Sequence, residues 1–138
     1  MTTFVFDIDG TICTNTYGEY NNAEPYLNNI KRINSLYSEG HQIKYFTARG
    51  SGTGIDWYEF TKNQLDSWGA KHHELILGKP EGDIYIDDKG QNAFLWDWHN
   101  DVKEINEKNY NSLIKKDLLE SVDSIENLVK DKKSLNSI

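Results

Sequence analysis

The sequence has a single cysteine, Cys13, in 138 residues. A lone thiol forms no intrachain disulfide and no cysteine-based metal site, and it agrees with a reducing compartment. Long apolar runs are missing too. No stretch approaches the roughly 18 residues that a membrane span needs, and Met1-Thr2-Thr3-Phe4 lacks the basic and long apolar regions of a signal peptide. The expectation is a soluble, cytoplasmic protein with no membrane partner. Positive charge is short as well: 15 Lys and Arg face 22 Asp and Glu, for a formal net charge of -7 and a pI near 5.0. That balance gives no whole-molecule attraction to a phosphate backbone, so nucleic acid is disfavoured as a partner. An acidic protein that handles an anion must instead build a local positive patch or recruit a cation. What the chain does have is aromatic mass. Hydrophobic residues make up 37% and aromatics 12%, enough for a core despite a mean hydropathy of -0.73, which excludes a wholly disordered chain. The length fits one domain and leaves no room for a second of ordinary size.

Hydrophobic spacing divides the chain. Phe4 to Ile8 is a short apolar run that breaks at Gly10, as a buried strand entering a loop does. From Pro25 the residues Tyr26, Leu27, Ile30, Ile33, Leu36 and Tyr37 recur three and four apart until Gly40, an amphipathic helix with Pro early and Gly just past the end. Gln42 to Phe46 reads as a strand. The glycine-rich loop at 50–54 follows, then a helix carrying Ile55, Tyr58, Phe60, Leu65 and Trp68 up to Gly69. Glu74–Leu77 and Ile84–Ile86 are two further short strands. Strands alternating with helices predict a three-layer α/β domain, a Rossmann-like parallel sheet flanked by helices. Beyond Asp101 the composition turns polar, but Leu113, Ile114, Leu118, Leu119, Val122, Ile125, Leu128 and Val129 keep helical spacing. Residues 1–100 are thus expected to form the core. Residues 101–138 form an extension whose amphipathic helix, at 112–131, packs on the core or on another subunit as a homo-oligomer contact. No internal repeat occurs.

Acidic residues concentrate at the ends of two expected strands, in Asp7-Ile8-Asp9-Gly10-Thr11 and in Asp87-Asp88. In open α/β sheets ligands sit beyond the carboxyl ends of the strands, so both clusters would face one crevice. Alternate residues leaving a strand point the same way, which lets Asp7 and Asp9 address one ligand about 6 to 7 Å apart along the backbone. Several carboxylates in one crevice need a compensating cation, and oxygen-only ligands suit Mg²⁺. Thr47-Ala48-Arg49 ends another strand with a hydroxyl and amides that suit phosphoryl oxygens, and Lys79 follows the next strand. Each feature alone has a bland reading: a solvated loop, a turn threonine, a surface lysine. Together they form a set suited to phosphoryl transfer, with both a metal and a positive charge.

The order Asp7-Ile8-Asp9-Gly10-Thr11, Thr47, Lys79, Asp87-Asp88 resembles the four signature motifs of the haloacid dehalogenase (HAD) superfamily of phosphatases. Phe46-Thr47-Ala48-Arg49-Gly50, Trp68-Gly69, His73-Glu74-Leu75, Gly78-Lys79-Pro80 and Asp83 to Lys89 are similar to the small capsular polysaccharide biosynthesis phosphatases of that superfamily. The resemblance implies a Mg²⁺-dependent phosphomonoesterase acting on a phosphorylated sugar or related small metabolite. Asp7 is then the nucleophile. Asp9 is the general acid and base, with its backbone carbonyl on the metal. Thr47 and Ala48 bind the phosphoryl group, Lys79 neutralises it, and Asp7, Asp9, Asp87 and Asp88 hold Mg²⁺. Asp87 is the direct ligand, Asp88 is direct or acts through water, and Asp83 is structural.

Neither residues 12–23 nor 78–82 can hold a cap domain, so a capless, open site is expected. Residues 13–20 would form a small flap. Tyr17, Tyr20 and Arg49 are candidate rim residues; the two tyrosines read equally as leaving-group contacts and as rings shielding the loop's own backbone. The 50–54 loop lacks the Walker spacing of a nucleotide P-loop. His41, His72 and His73 lack zinc spacing and read as structural, the four tryptophans as core or interface, and Cys13 as a small buried residue beside the nucleophile loop. Three other functions compete. A nucleotide or nucleic-acid 3′-phosphatase shares the chemistry but meets the opposing net charge. A receiver-like phosphoacceptor domain would place its acidic pair after the first strand and its lysine last, the reverse of the order here. A non-catalytic scaffold would leave every chemical position filled to no purpose.

Overall fold

Residues 1–98 are described by the computed structural model; the expected extension at 101–138 and its helix lie outside the described residues. The elements run β1 (Thr3–Phe6), α1 (Leu27–Ser38), β2 (Gln42–Thr47), α2 (Tyr58–Ser67) and β3 (Glu74–Leu77), with a short 3₁₀ turn at Tyr20–Asn22. The sheet order is β1-β2-β3 and both ladders are parallel, with Phe6 opposite Tyr45 and Tyr45 opposite Leu75. Two successive crossovers in one direction, each right-handed by the general rule, set both helices on the same face. The α/β class and the parallel sheet are therefore as the hydrophobic spacing predicts.

That face is apolar for a reason visible in the strands. Ile43, Tyr45 and Thr47 are buried on β2 and alternate with partly exposed Gln42, Lys44 and Phe46. Their ladder neighbours Phe4, Phe6, Leu75 and Leu77 share the face. The helices answer with Ile30, Ile33 and Leu36 from α1 and Thr61 and Leu65 from α2, all buried. Each isoleucine sealed in this way contributes about 1.5–3 kcal/mol. On the opposite face Lys44 pairs with Glu74 at 3.1 Å, and Val5 remains 58% exposed. Along β2 the side chains alternate in this way, whereas Phe4-Val5-Phe6 of β1 and Leu75-Ile76-Leu77 of β3 are continuous apolar runs of the kind that parallel strands carry.

Both helices stop in the same way. His41 N–H donates to Leu36 O and Gly40 N–H to Tyr37 O; Ala70 N–H donates to Leu65 O and Gly69 N–H to Asp66 O. Gly40 (φ 95°) and Gly69 (φ 68°) supply the left-handed residue that this Schellman closure needs. The loops beyond are then pinned by side chains. Asn34 bonds Gly69 O and Lys71 N–H, and His73 Nδ1 accepts Ile43 N–H at 3.0 Å while its ring stacks on Tyr37. His41 Nδ1 likewise accepts Thr2 N–H. These histidines are structural, as their spacing suggested.

One expected element is absent. Ile84, Tyr85 and Ile86 form no strand and are 78%, 53% and 92% exposed. The reason is local competition: Tyr85 hydroxyl donates back to Pro80 O, and Asp87 Oδ1 accepts both Lys89 and Gly90 N–H, folding the chain on either side of a three-residue run. Trp96 and Trp98 instead set their rings against Phe4 and Phe6.

Candidate active site

The carboxyl ends of the three strands converge. Asp7 follows β1 directly, Thr47 ends β2, and Lys79 lies two residues past β3. Lys79 is fixed through its backbone before its side chain is considered: its N–H donates to Thr47 O at 3.1 Å and its carbonyl accepts Ser51 Oγ at 2.7 Å. Ser51 belongs to the glycine-rich loop, so that loop serves to hold Lys79. Gly50 is obligatory there, with φ 83° and a Cβ position that would collide with Ile55 O. The Lys79 ammonium then reaches Asp7 Oδ1 at 3.5 Å, and Thr11 hydroxyl approaches Asp7 Oδ2 at 3.5 Å. Burial pushes the Asp7 carboxyl above its ordinary range, an effect that the Lys79 charge partly offsets. A half-buried carboxylate facing a fixed lysine is a suitable nucleophile position.

Asp9 has a different environment. Arg49 grips it with two bonds, Nε to Oδ2 and Nη2 to Oδ1, each 2.9 Å. Arg49, expected at the crevice rim, is only 2% exposed and is the largest fully buried side chain among the described residues. Its remaining nitrogen, Nη1, donates to Gln64 Oε1 at 2.7 Å and Thr61 Oγ1 at 3.3 Å, and Tyr20 lies 4.5 Å over the guanidinium. Tyr20, the other expected rim residue on this side, is thus a cover for Arg49, and it meets Trp57 edge-on. Tyr17 is the rim residue that is open, 92% exposed.

Thr47 is buried, and its hydroxyl accepts Arg49 N–H at 3.1 Å, leaving its proton for a donor bond. Ala48, next along, accepts Ser51 N–H through its carbonyl. Cys13 is fully buried, 3.6 Å from Asp9 Oδ1, and burial with the neighbouring carboxylate pushes its thiol up to about 12. It is inert at neutral pH.

Asp87 and Asp88 are exposed and do not join this group. Hydrogen bonds from the Lys89 and Gly90 amides hold the Asp87 carboxyl below its ordinary range. Among the described residues no three His, Cys, Asp or Glu side chains gather to hold a metal ion. The oxygen donors on the β1 loop nonetheless fit Mg²⁺, which takes one or two carboxylates and keeps several waters. Sequence reasoning missed Thr61 and Gln64. Their signal was present: they lie three apart on α2 beside the buried Leu65, on the face turned inward.

No family model matches the chain, and no curated protein does. Among solved structures, the crystal structure of an MCSG target from Vibrio cholerae is similar over 85% of this chain and 99% of that one, with a TM-score of 0.65 and 23% identity. At that identity the likeness is one of fold, and it agrees with the α/β architecture described above.

Proposed function

We propose that the protein is a HAD-type phosphatase, a cytoplasmic, capless enzyme that hydrolyses a phosphorylated sugar or related small metabolite, with surface polysaccharide synthesis as its setting. The observation that supports this reading most is the meeting of Asp7, Thr47 and Lys79 at three successive strand ends, Lys79 being tied to Thr47 by a backbone bond and to Asp7 by charge. The short lengths of 12–23 and 78–82 are what support the capless reading.

In the proposed reaction Asp7 attacks phosphorus in line, forming a new P–O bond while the leaving oxygen takes the electron pair of the bond that breaks. Asp9, released from Arg49 and protonated from solvent, gives that oxygen a proton; as the carboxylate it then takes one from the water that attacks phosphorus and breaks the P–O bond to Asp7. Thr47 hydroxyl and the Ala48 backbone hold the phosphoryl oxygens, and Lys79 offsets their charge. Bound Mg²⁺ supplies further stabilisation of charge on those oxygens. Asp7, the Asp9 carbonyl, Asp87 and Asp88 are the residues that would hold it. The last two take part if the 84–86 segment lies along the edge of β1, whose outer side has no partner strand among the described residues. That edge bears the exposed Val5, and laying the segment there would bury Ile84 and Ile86, which are now in solvent.

The test is phosphate release from a panel of phosphorylated sugars and metabolites with and without Mg²⁺, compared as kcat/KM. Magnesium-dependent turnover that Asp7→Asn abolishes is the expected result. No release from any substrate, or release that survives Asp7→Asn, overturns the proposal.

A further inference from the structure

One acidic side chain beside the crevice takes no part in the reaction proposed above. Glu81 lies two residues past Lys79. Its carboxylate rests on the bare backbone of Gly52, where a Cβ would stand 2.5 Å from Oε2 and 2.9 Å from Oε1. Gly52 belongs to the loop that holds Lys79 through the bond from Ser51 Oγ to Lys79 O, so the same loop seats both residues. No hydrogen bond or ion pair engages the Glu81 carboxylate among the described residues. From the flap, Tyr20 is anchored by its carbonyl, which accepts Gln64 Nε2 at 2.8 Å, and by its ring, which covers Arg49. Its hydroxyl likewise has no hydrogen-bond partner among the described residues. Burial raises that phenol above its ordinary range; the charges of Asp9 and Glu81 add to the rise and Arg49 opposes it. A phenol that feels both carboxylates has Asp9 and Glu81 as neighbours.

We propose that Glu81 is a specificity residue of this site: with the Tyr20 hydroxyl it binds the hydroxyl groups of an uncharged, polyhydroxylated leaving group and turns away one that carries a second anionic group. The inference rests on the phosphatase reading and names what that site selects. An ionised carboxylate only accepts, and its two oxygens suit two neighbouring hydroxyls, while a phenol both donates and accepts. A diol supplies the donors that both groups lack. Hydrogen bonds to an ionised acceptor are the stronger kind. The same negative charge opposes a second phosphate or a carboxylate on the leaving group, so one residue supplies both the attraction and the repulsion that selectivity needs. The transferring phosphoryl group is met separately by Lys79, on the side of Asp7.

The experiment measures kcat/KM with Mg²⁺ for p-nitrophenyl phosphate, for a panel of aldose monophosphates and for the bisphosphate of the best of them, in wild type, Glu81→Gln, Glu81→Ala and Gly52→Ala. Gly52 lies outside the left-handed region, so alanine suits its backbone, and the new methyl must push the flexible end of Glu81 aside while leaving its charge intact. Thermal unfolding of each metal-free protein reports folding separately. Glu81→Ala and Gly52→Ala are expected to lose about tenfold on the best monophosphate, while p-nitrophenyl phosphate, which offers no hydroxyl, stays within about twofold of wild type. Glu81→Gln should lose less on the monophosphate, because its amide oxygen still accepts, and should gain about threefold or more on the bisphosphate. An equal loss on p-nitrophenyl phosphate and the monophosphate in folded variants, no loss in Glu81→Ala or Gly52→Ala, or no gain on the bisphosphate in Glu81→Gln overturns the role of Glu81 and leaves the phosphatase reading intact. A wild type that hydrolyses p-nitrophenyl phosphate but no aldose monophosphate does the same. A wild type inactive on every substrate overturns the reading and the inference with it.

Discussion

The two acidic pairs of this chain have opposite physical settings. Asp7 and Asp9 are partly buried and each faces its own cation, Lys79 and Arg49. Asp87 and Asp88 are exposed, and the partners of Asp87 are the amides of its own turn. Desolvating a carboxylate costs stability, and a fold keeps such groups where the cost has a use. The first pair therefore marks the centre of the site on geometry alone. The second pair takes part in the proposed enzyme only if the 84–86 segment moves to bring it to the first.

The sharpest way to break this contrast is to neutralise one member of each pair. Asp7→Asn is expected to reduce turnover by about 10³-fold or more. Its effect on stability has the opposite sign. Because burial raises the Asp7 carboxyl above its unfolded value, its favourable contribution is fully present below the ordinary carboxylate range and is lost as pH rises through the folded value. At neutral pH Asp7 is therefore a destabilising group in the metal-free protein, and Asp7→Asn should melt higher than wild type. The gain should vanish in acid, as calorimetry at two pH values will check. A variant that is inactive and melts lower at neutral pH would remove Asp7 from the desolvated set.

Asp87→Asn and Asp88→Asn should behave otherwise. With both side chains in solvent, the metal-free variants should melt close to wild type. If they join the metal, apparent Mg²⁺ affinity should fall by about 10- to 100-fold, read by titrating activity against the ion. An unchanged Mg²⁺ requirement in both variants would leave the second pair outside the site. The same contrast extends to the segment that carries them. Ile84→Lys should lower kcat/KM by about tenfold with little effect on metal-free melting, if the segment takes up the β1 edge during turnover. Hydrogen exchange at Ile84–Ile86, slowed when Mg²⁺ and a phosphate mimic are added, is the direct check. Exchange that does not change would show that these residues stay in solvent.

What could be read from the sequence follows the same division. The strand ends at Asp7, Thr47 and Lys79 were legible because each follows a short β-prone segment that a turn or glycine soon stops, and glycine stops such as Gly40 and Gly69 are local chemistry. The 84–86 strand failed because three apolar residues offer too little ladder to outweigh the turn bonds of Asp87 and Tyr85. Arg49 was misplaced at the rim because an arginine beside a glycine-rich loop reads as exposed. Its burial depends on Asp9, forty residues earlier, and on Gln64 and Thr61 from another element. Pairings of that separation leave no trace in local periodicity. Tyr20 fell between: its ring was legible as a shield, but what it covers, Arg49, was not.

The smallest expected effect separates the two flap tyrosines. Tyr20 is held by Arg49 and Trp57, whereas Tyr17 is 92% exposed and adopts φ 52°. Among the described residues it is the one non-glycine residue in the left-handed region, and its N–H donates to Asn15 Oδ1 at 3.3 Å. A side chain there costs about 1–2 kcal/mol, against which glycine would lose about 0.5–1 kcal/mol in chain entropy. Tyr17→Gly should therefore be neutral to slightly stabilising, by less than about 1 kcal/mol in denaturant melts. In the proposed phosphatase the exposed ring is a candidate contact for the leaving group. The variant should then lower kcat/KM for the best sugar phosphate while leaving that for inorganic-like small esters such as methyl phosphate unchanged. Equal kcat/KM ratios for the two substrates in Tyr17→Gly and wild type would reduce Tyr17 to a shield of its own loop, and leave leaving-group recognition to the Tyr20 side of the flap.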